Sequence, residues 1–161
     1  MIFLTVGTQF PFDRLVKGVD AAVDLGCINE EIFAQIGEGG CEPRNFPAVP
    51  SLDKESFDEC VARADAIISH AGMGSITLAM SQAKPLLVMP RLKQYGEVVN
   101  DHQVAIARKF AEAELVLLAE DQQQLLDKIM LLPLFIPKRR IAQPELVSRR
   151  VLQFLNELKI T

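Results

Sequence analysis

The hexapeptide His70-Ala71-Gly72-Met73-Gly74-Ser75 is where residue types and spacing in this sequence could do chemistry. Two glycines one residue apart let a ligand approach bare backbone, and Ser75 adds a hydroxyl donor. The apolar run Ala66 to Ser69 reads as a strand entering this loop, and Gly74 or Ser75 opens a helix with Ile76, Ala79, Met80 and Ala83 facing inward. Such a loop offers unspent N–H groups and the positive end of a helix dipole to an anion, and a diphosphate suits it. A second glycine-bearing loop, Gly7-Thr8-Gln9, follows the first apolar run, Ile2 to Val6. A Gly-x-Gly-Ser by itself is also found in tight turns that hold nothing. The fingerprint G-x-G-x-x-G is missing after the first strand, and no G-x-x-x-x-G-K-[ST] occurs, so neither a dinucleotide fold nor a P-loop NTPase is expected. Gly37 to Gly40 reads as a turn, because no helix pattern follows it.

The elements that must position these loops alternate. Strands are expected at Ile2 to Val6, Ile32 to Ile36, Ala48 to Leu52, Ala66 to Ser69, Pro85 to Met89 and Leu115 to Leu118. Between them, helical spacing places Phe12, Leu15, Val16, Val19 and Val23 on one face, and Phe57, Cys60, Val61 and Ala64 on another after an Asp53 N-cap. Further helices are expected from Asp101 to about Glu112, from Asp121 to Leu131 and from Glu145 to Lys159, with Arg91 to Asn100 a polar loop. This alternation implies an α/β fold, a Rossmann-like parallel sheet with helices on both faces. If the strand order is 3-2-1-4-5-6, the loops after strands one and four flank the crevice where ligands bind in open α/β sheets.

Composition narrows the partners. With 161 residues, one domain covering residues 1–161 is expected. The net charge of −4 provides no broad field for a nucleic-acid backbone, so no nucleic-acid partner is expected. Cys27, Cys41 and Cys60 form no C-x-x-C pair and read as reduced thiols of a cytosolic protein. The opening residues lack a basic region and a cleavage site, and no apolar run approaches the roughly 20 residues of a membrane span.

The motifs in order make a larger pattern: His70-Ala71-Gly72-x-Gly74-Ser75, Lys84-Pro85-x-x-Val88-x-Pro90-Arg91, Gly96-Glu97 and Asn100-Asp101-His102-Gln103. This series closely resembles the C-terminal domain of family 28 glycosyltransferases, the C-terminal half of a GT-B architecture. The opening Val6-Gly7-Thr8-Gln9-x-Pro11-Phe12-Asp13-Arg14-Leu15 is similar to the small catalytic subunits of two-component transferases, with the bacterial exopolysaccharide and capsule subunits as the closer match. The resemblance covers about residues 1–131.

By that resemblance the chain is the donor-binding catalytic subunit of an inverting UDP-sugar glycosyltransferase. Gly72, Gly74 and Ser75 are carried over as diphosphate contacts, and Glu97, Asn100, Asp101, His102 and Gln103 face the donor sugar. Gly7, Thr8, Gln9, Met73 and Arg91 complete the expected substrate-binding set. Asp101 could cap a helix as well as bind ligand. His70 is expected to anchor its loop by hydrogen bonding rather than act as a base. Many relatives place an acid three residues after the loop Ser/Thr, to hold the ribose hydroxyls; here Leu78 stands in that place. No Asp-x-Asp occurs, so neither a metal nor another cofactor is expected, and helix-dipole stabilisation of departing UDP would serve instead.

The resemblance further implies a membrane-anchored partner subunit that binds a lipid-linked acceptor and carries the catalytic base. It places the chain in the cytoplasm, peripheral to the inner face of the membrane, with the helix 145–159 contacting either that partner or its own core. Galactose, glucose, glucuronic acid and N-acetylglucosamine all present suitable hydroxyls; an exopolysaccharide setting favours galactose or glucuronic acid. The competing reading is a non-catalytic UDP-sugar-binding or scaffolding subunit that enhances a partner transferase, a role Leu78 would suit.

Overall fold

Four short, mostly buried apolar runs cannot satisfy their backbone alone and pair side by side, with a half-buried two-residue strand at each edge. The computed structural model describes residues 1–138 together with 149, 150, 152–154 and 157. Its strands are β1 (Ile2–Thr5), β2 (Ile32–Gln35), β3 (Ala48–Val49), β4 (Ala66–His70), β5 (Leu86–Met89) and β6 (Leu117–Leu118). They form one parallel six-stranded sheet in the order β3-β2-β1-β4-β5-β6, the order that puts the crevice over β1 and β4. Registers Thr5↔Gln35 and Thr5↔Ser69 align the carboxyl ends of the three central strands.

Helices cover both faces because side chains alternate along a strand. Ile2, Leu4 and Ile68 pack with Leu15, Val16 and Val19 of α1 (Asp13–Asp24) and Leu125 and Ile129 of α5 (Gln122–Leu131). Phe3, Ile67, Leu86 and Val88 pack with Val61 of α2 (Lys54–Arg63), Ile76 and Ala79 of α3 (Met73–Ser81) and Ala107 of α4 (His102–Glu112). Each such side chain, fully withdrawn from water, contributes roughly 1.5–3 kcal/mol.

Helix starts divide by how they treat their free N–H groups. Asp53 and Asp121 accept from Ser56 N and Gln124 N, each at 2.8 Å, and so cap α2 and α5. α3 begins at Met73, earlier than the sequence pattern indicated, and its N-cap is Gly72, which has no side chain to spend on it. Asp101 precedes α4 but does not cap it; Asn100 Oδ1 accepts from His102 N at 3.3 Å instead. Ala83, expected on the inner face of α3, lies past the helix end, exposed and at φ 52°, where Lys84 N closes back on Ala79 O at 2.9 Å. The expected helix 145–159 falls largely outside the described residues; those described within it are helical and exposed.

α1 and α5 touch through Gly18, where a Cβ would stand 2.2 Å from Gln122 Oε1 and 2.6 Å from the buried Leu125 Cδ2. Gly18→Leu is therefore expected to lower the unfolding free energy by about 1–3 kcal/mol, read from urea melts. An unchanged midpoint would mean the two helices do not meet as described.

Candidate functional site

The buried polar side chains among the described residues are Thr5, Gln35, Ser69, Arg91 and Gln103. All five lie at the carboxyl edge of the sheet, and four of them line a single open cleft of about 460 Å³. The cleft also takes in Gly7, Thr8, Gln9, His70, Gly72, Gly74, Ser75 and His102, so ten of the fourteen residues expected to bind substrate come together there. Met73, Glu97, Asn100 and Asp101 do not line it. Thr5, Val6, Phe10, Gln35, Phe57 and Leu78 do, and were not foreseen as site residues. A second depression of about 400 Å³ lies between α1 and residues 41–45. Its Asp20 carboxylate is already occupied by Arg44 N, Asn45 N and Asn45 Nδ2.

The start of α3 forms one wall. Ile76 N is the first amide to bond back, to Gly72 O, so the Met73, Gly74 and Ser75 amides are unspent within the helix. A Cβ on Gly74 would meet nothing within 4 Å, so this position faces open space. The Ser75 hydroxyl is held by Ser69 Oγ at 2.9 Å, and Ser69 Oγ donates to Thr5 O at 2.8 Å.

His70 locks the two glycine loops together. A Cβ on Gly72 would lie 2.3 Å from its Nε2, and one on Gly7 2.8 Å from its Cε1. Both loops need glycine because the imidazole fills the space between them; Gly7 also sits at φ +80°. Nδ1 lies 3.2 Å from Ser69 Oγ. Burial, reinforced by the positive charge of Arg91, pulls the His70 pKa down to about 4, so the ring is neutral at pH 7. The ring packs as a loop anchor, in keeping with its sequence reading.

Arg91 is an anchor more than a ligand arm. It is 4% exposed, and its guanidinium donates to Pro11 O at 2.7 Å, Val6 O at 2.9 Å and Phe10 O at 2.7 Å, caging the chain that leaves β1. Its backbone N–H donates to Gln103 Oε1 at 3.1 Å, tying α4 to the same point. Its cation stands 4.7 Å over the Phe12 ring, with Arg14 at 5.1 Å from that ring.

Glu97 is spent on structure. It takes Arg14 through both carboxylate oxygens, each at 2.9 Å, and also Leu92 N at 2.8 Å, pinning residues 92–97 against α1. Asp101 holds the same loop from the other side by accepting from Lys93 N at 2.7 Å. Asn100 Oδ1 engages the ring Nδ1 of His102. An amide oxygen can only accept, so Nδ1 is the donor of this pair and Nε2 is left for other partners.

Because His70 gains no charge in the fold until far below its unfolded pKa, its neutral packing contributes stability that is present above pH 6.5 and is lost as pH falls toward 4. Wild type should therefore lose on the order of 2–3 kcal/mol relative to His70→Asn between those pH values in chemical denaturation. Parallel pH profiles for the two proteins would contradict the buried neutral ring.

Comparison with known proteins adds the lineage. Residues 1–145 match the family model of the glycosyltransferase family 28 C-terminal domain. The human UDP-N-acetylglucosamine transferase subunit ALG13 is 35% identical over 117 residues, 67% of this chain and 10% of that protein. The mouse subunit of the same name is 36% identical over 117 residues, 66% of this chain and 10% of that protein. The chain thus spans about a tenth of the length of the curated relatives it matches. Both are mammalian, and a bacterial exopolysaccharide or capsule type gains no support from them. Among solved structures, the solution structure of ALG13 superposes with a TM-score of 0.61 at 20% identity over 92% of each chain. Os79 from O. sativa, in complex with UDP, gives 0.57 at 17% identity, covering 81% of this chain and 31% of that one. MurG of Acinetobacter baumannii gives 0.53 at 18% identity, over 84% and 45%. These structures share the fold, the C-terminal Rossmann-like half of GT-B glycosyltransferases. On the match across residues 1–145, the chain belongs to the glycosyltransferase family 28 C-terminal domain family.

Proposed function

We propose that this chain is the donor-binding catalytic subunit of an inverting glycosyltransferase that transfers a sugar from a UDP-sugar. The observation that carries the reading is the gathering of the described buried polar side chains around the uncapped start of α3. Buried polar groups cost stability unless paired, so their concentration at one edge marks a place kept for a polar ligand. The diphosphate sits on the Met73, Gly74 and Ser75 amides, where the helix dipole favours negative charge. Arg91 adds positive charge beside it, because Glu97 is already neutralised by Arg14. The sugar extends toward Gln103 and His102, with His102 Nε2 meeting a sugar hydroxyl, which can donate or accept. N-acetylglucosamine is the favoured sugar, since both curated relatives carry it in their names; galactose and glucuronic acid lose their support along with the exopolysaccharide setting.

An acceptor hydroxyl attacks the anomeric carbon from the open side while UDP departs toward α3, whose amides and dipole stabilise the growing charge on the leaving oxygen. A partner subunit provides both the base and the acceptor site, a reading supported by the match to a C-terminal domain alone. Phe10, Met73, Tyr95 and Val99 stand 63, 45, 59 and 88% exposed on the loops of this edge, an apolar rim that a partner would cover. Among the described residues no helix is long and apolar enough to cross a membrane. In this reading a membrane-anchored partner that binds a lipid-linked acceptor holds the chain at the inner membrane face.

Calorimetric titration with UDP and a panel of UDP-sugars, without metal, tests the reading against Gly74→Asp. The substitution adds a carboxylate at the start of a helix, which helix electrostatics tolerate, and points it into open space. Wild type should bind saturably, with UDP-N-acetylglucosamine tightest, and the variant should lose at least about tenfold in affinity at unchanged folding stability, some 1.4 kcal/mol or more. Equal binding by the two proteins would remove the diphosphate from this loop.

A further inference from the structure

Thr5, Gln35 and Ser69 form a polar row at one level of three adjacent parallel strands, on the face that α2 and α3 cover. Two members are satisfied within the protein. Ser69 bonds Thr5 O and Ser75 Oγ, and Thr5 Oγ1 accepts from Gly7 N at 3.2 Å while donating to Gln35 Oε1 at 2.7 Å. Gln35 is the exception. The Thr5 proton fixes the amide so that its oxygen faces Thr5 and its Nε2 faces away. Among the described residues Nε2 has no hydrogen-bond partner. No side-chain nitrogen or oxygen among them is fully buried without one either, so Nε2 touches open space. Gln35 is 1% exposed, and the open space beside it is the cleft. A buried amide held in one orientation, with two unused protons directed into a cleft, is built to meet an acceptor.

Taking the diphosphate placement proposed above, we infer that Gln35 Nε2 donates to a ribose oxygen of the nucleoside diphosphate. Strand order supplies the direction. The diphosphate lies over the loop after β4, and Gln103 and His102 mark the sugar side beyond β5. The nucleoside must then run the other way, across β1 toward β2, two strand spacings or roughly 10 Å along. Ribose is the group joined directly to the diphosphate and so comes first in that direction. Leu78 lines the same cleft from α3 and offers only methyl groups. Phe57, from α2, adds an apolar wall there. Gln35 is the buried polar side chain on this side whose hydrogen-bonding capacity is unspent among the described residues.

The experiment titrates UDP and 2′,3′-dideoxy-UDP into wild type and Gln35→Met, which keeps the side chain's length without its amide. Wild type should prefer UDP by about fivefold, the worth of one neutral hydrogen bond. Gln35→Met should lose that preference through weaker UDP binding, with dideoxy-UDP binding unchanged. Equal loss for both nucleotides, or no loss, overturns the ribose contact. A second variant, Leu78→Glu, leaves the buried row intact and brings a carboxylate to the opposite wall. It should tighten UDP but not dideoxy-UDP, and the absence of that gain overturns the placement of ribose between Gln35 and residue 78. If wild type binds neither nucleotide, the diphosphate reading of the cleft falls, and this inference falls with it; a wild type that binds both equally overturns the ribose contact alone.

Discussion

The guanidinium of Arg91 holds this edge of the molecule together. Where the chain leaves β1, three carbonyl oxygens, of Val6, Phe10 and Pro11, turn inward with no strand neighbour to donate to them. Arg91 fills that cage, and its own backbone N–H is accepted by Gln103. One residue, through its guanidinium and its backbone N–H, thus fixes the loop after β1, the end of β5 and the start of α4. Arg14 repeats the device from α1, donating to Pro90 O at 2.7 Å and to Glu97, with Phe12 between the two guanidiniums. Burial draws the Arg91 pKa below that of a free guanidinium. A charge so withdrawn from water is costly unless hydrogen bonded, and here carbonyl dipoles provide the bonding. Removing any of the tied elements would release the others, since the loops carry almost no regular backbone pairing of their own.

The anchored loops leave the sheet edge with two kinds of polar group. Arg91, Glu97 and Asp101 spend their bonding on the protein and the His70 ring is packed between two glycines, so their effect on a ligand is positional or electrostatic. The α3 amides, His102 Nε2 and Gln35 Nε2 have capacity unspent, and they converge on the same cleft from three elements. This division follows from a rigid parallel sheet with short loops: the strands fix where each loop begins, and the charged side chains fix where it goes.

Much of this was legible in the sequence. Five apolar runs of four or five residues, each closed by a polar or glycine-bearing turn, mark the strands, and the hypothetical order 3-2-1-4-5-6 is the order found. Gly72 lies between strand and helix as read, Gly74 falls within the first turn of α3, and the two are glycine for different reasons. Gly72 is needed because His70 fills the space beside it, whereas Gly74 alone is open to the cleft. Side-chain partnerships were not legible. Glu97 and Asp101 looked like sugar contacts because carboxylates suit hydroxyls, but the partners that claim them, Arg14 and the Lys93 amide, are 83 and 8 residues away along the chain. Gln35 stands inside the expected strand Ile32 to Ile36, and a single polar residue within an apolar run carries no sign of what its side chain will meet. A usable signal did exist. Thr5, Gln35 and Ser69 each stand at or beside the end of an apolar run, and polar residues at the same level of three adjacent parallel strands must meet on one face.

The same bookkeeping explains how an acidic chain can hold an anionic ligand without a broad positive field. The net charge is −4, yet among the described residues Arg91 is the one Lys, Arg, Asp or Glu that lines the cleft, and nearby Glu97 faces Arg14. His70, neutral at pH 7, adds nothing to that sum. The attraction is therefore local, built from one buried guanidinium and the amides of a single helix turn. Screening in salt is weak at such short range, where little water intervenes. A site of this kind selects by fit to the backbone rather than by long-range steering.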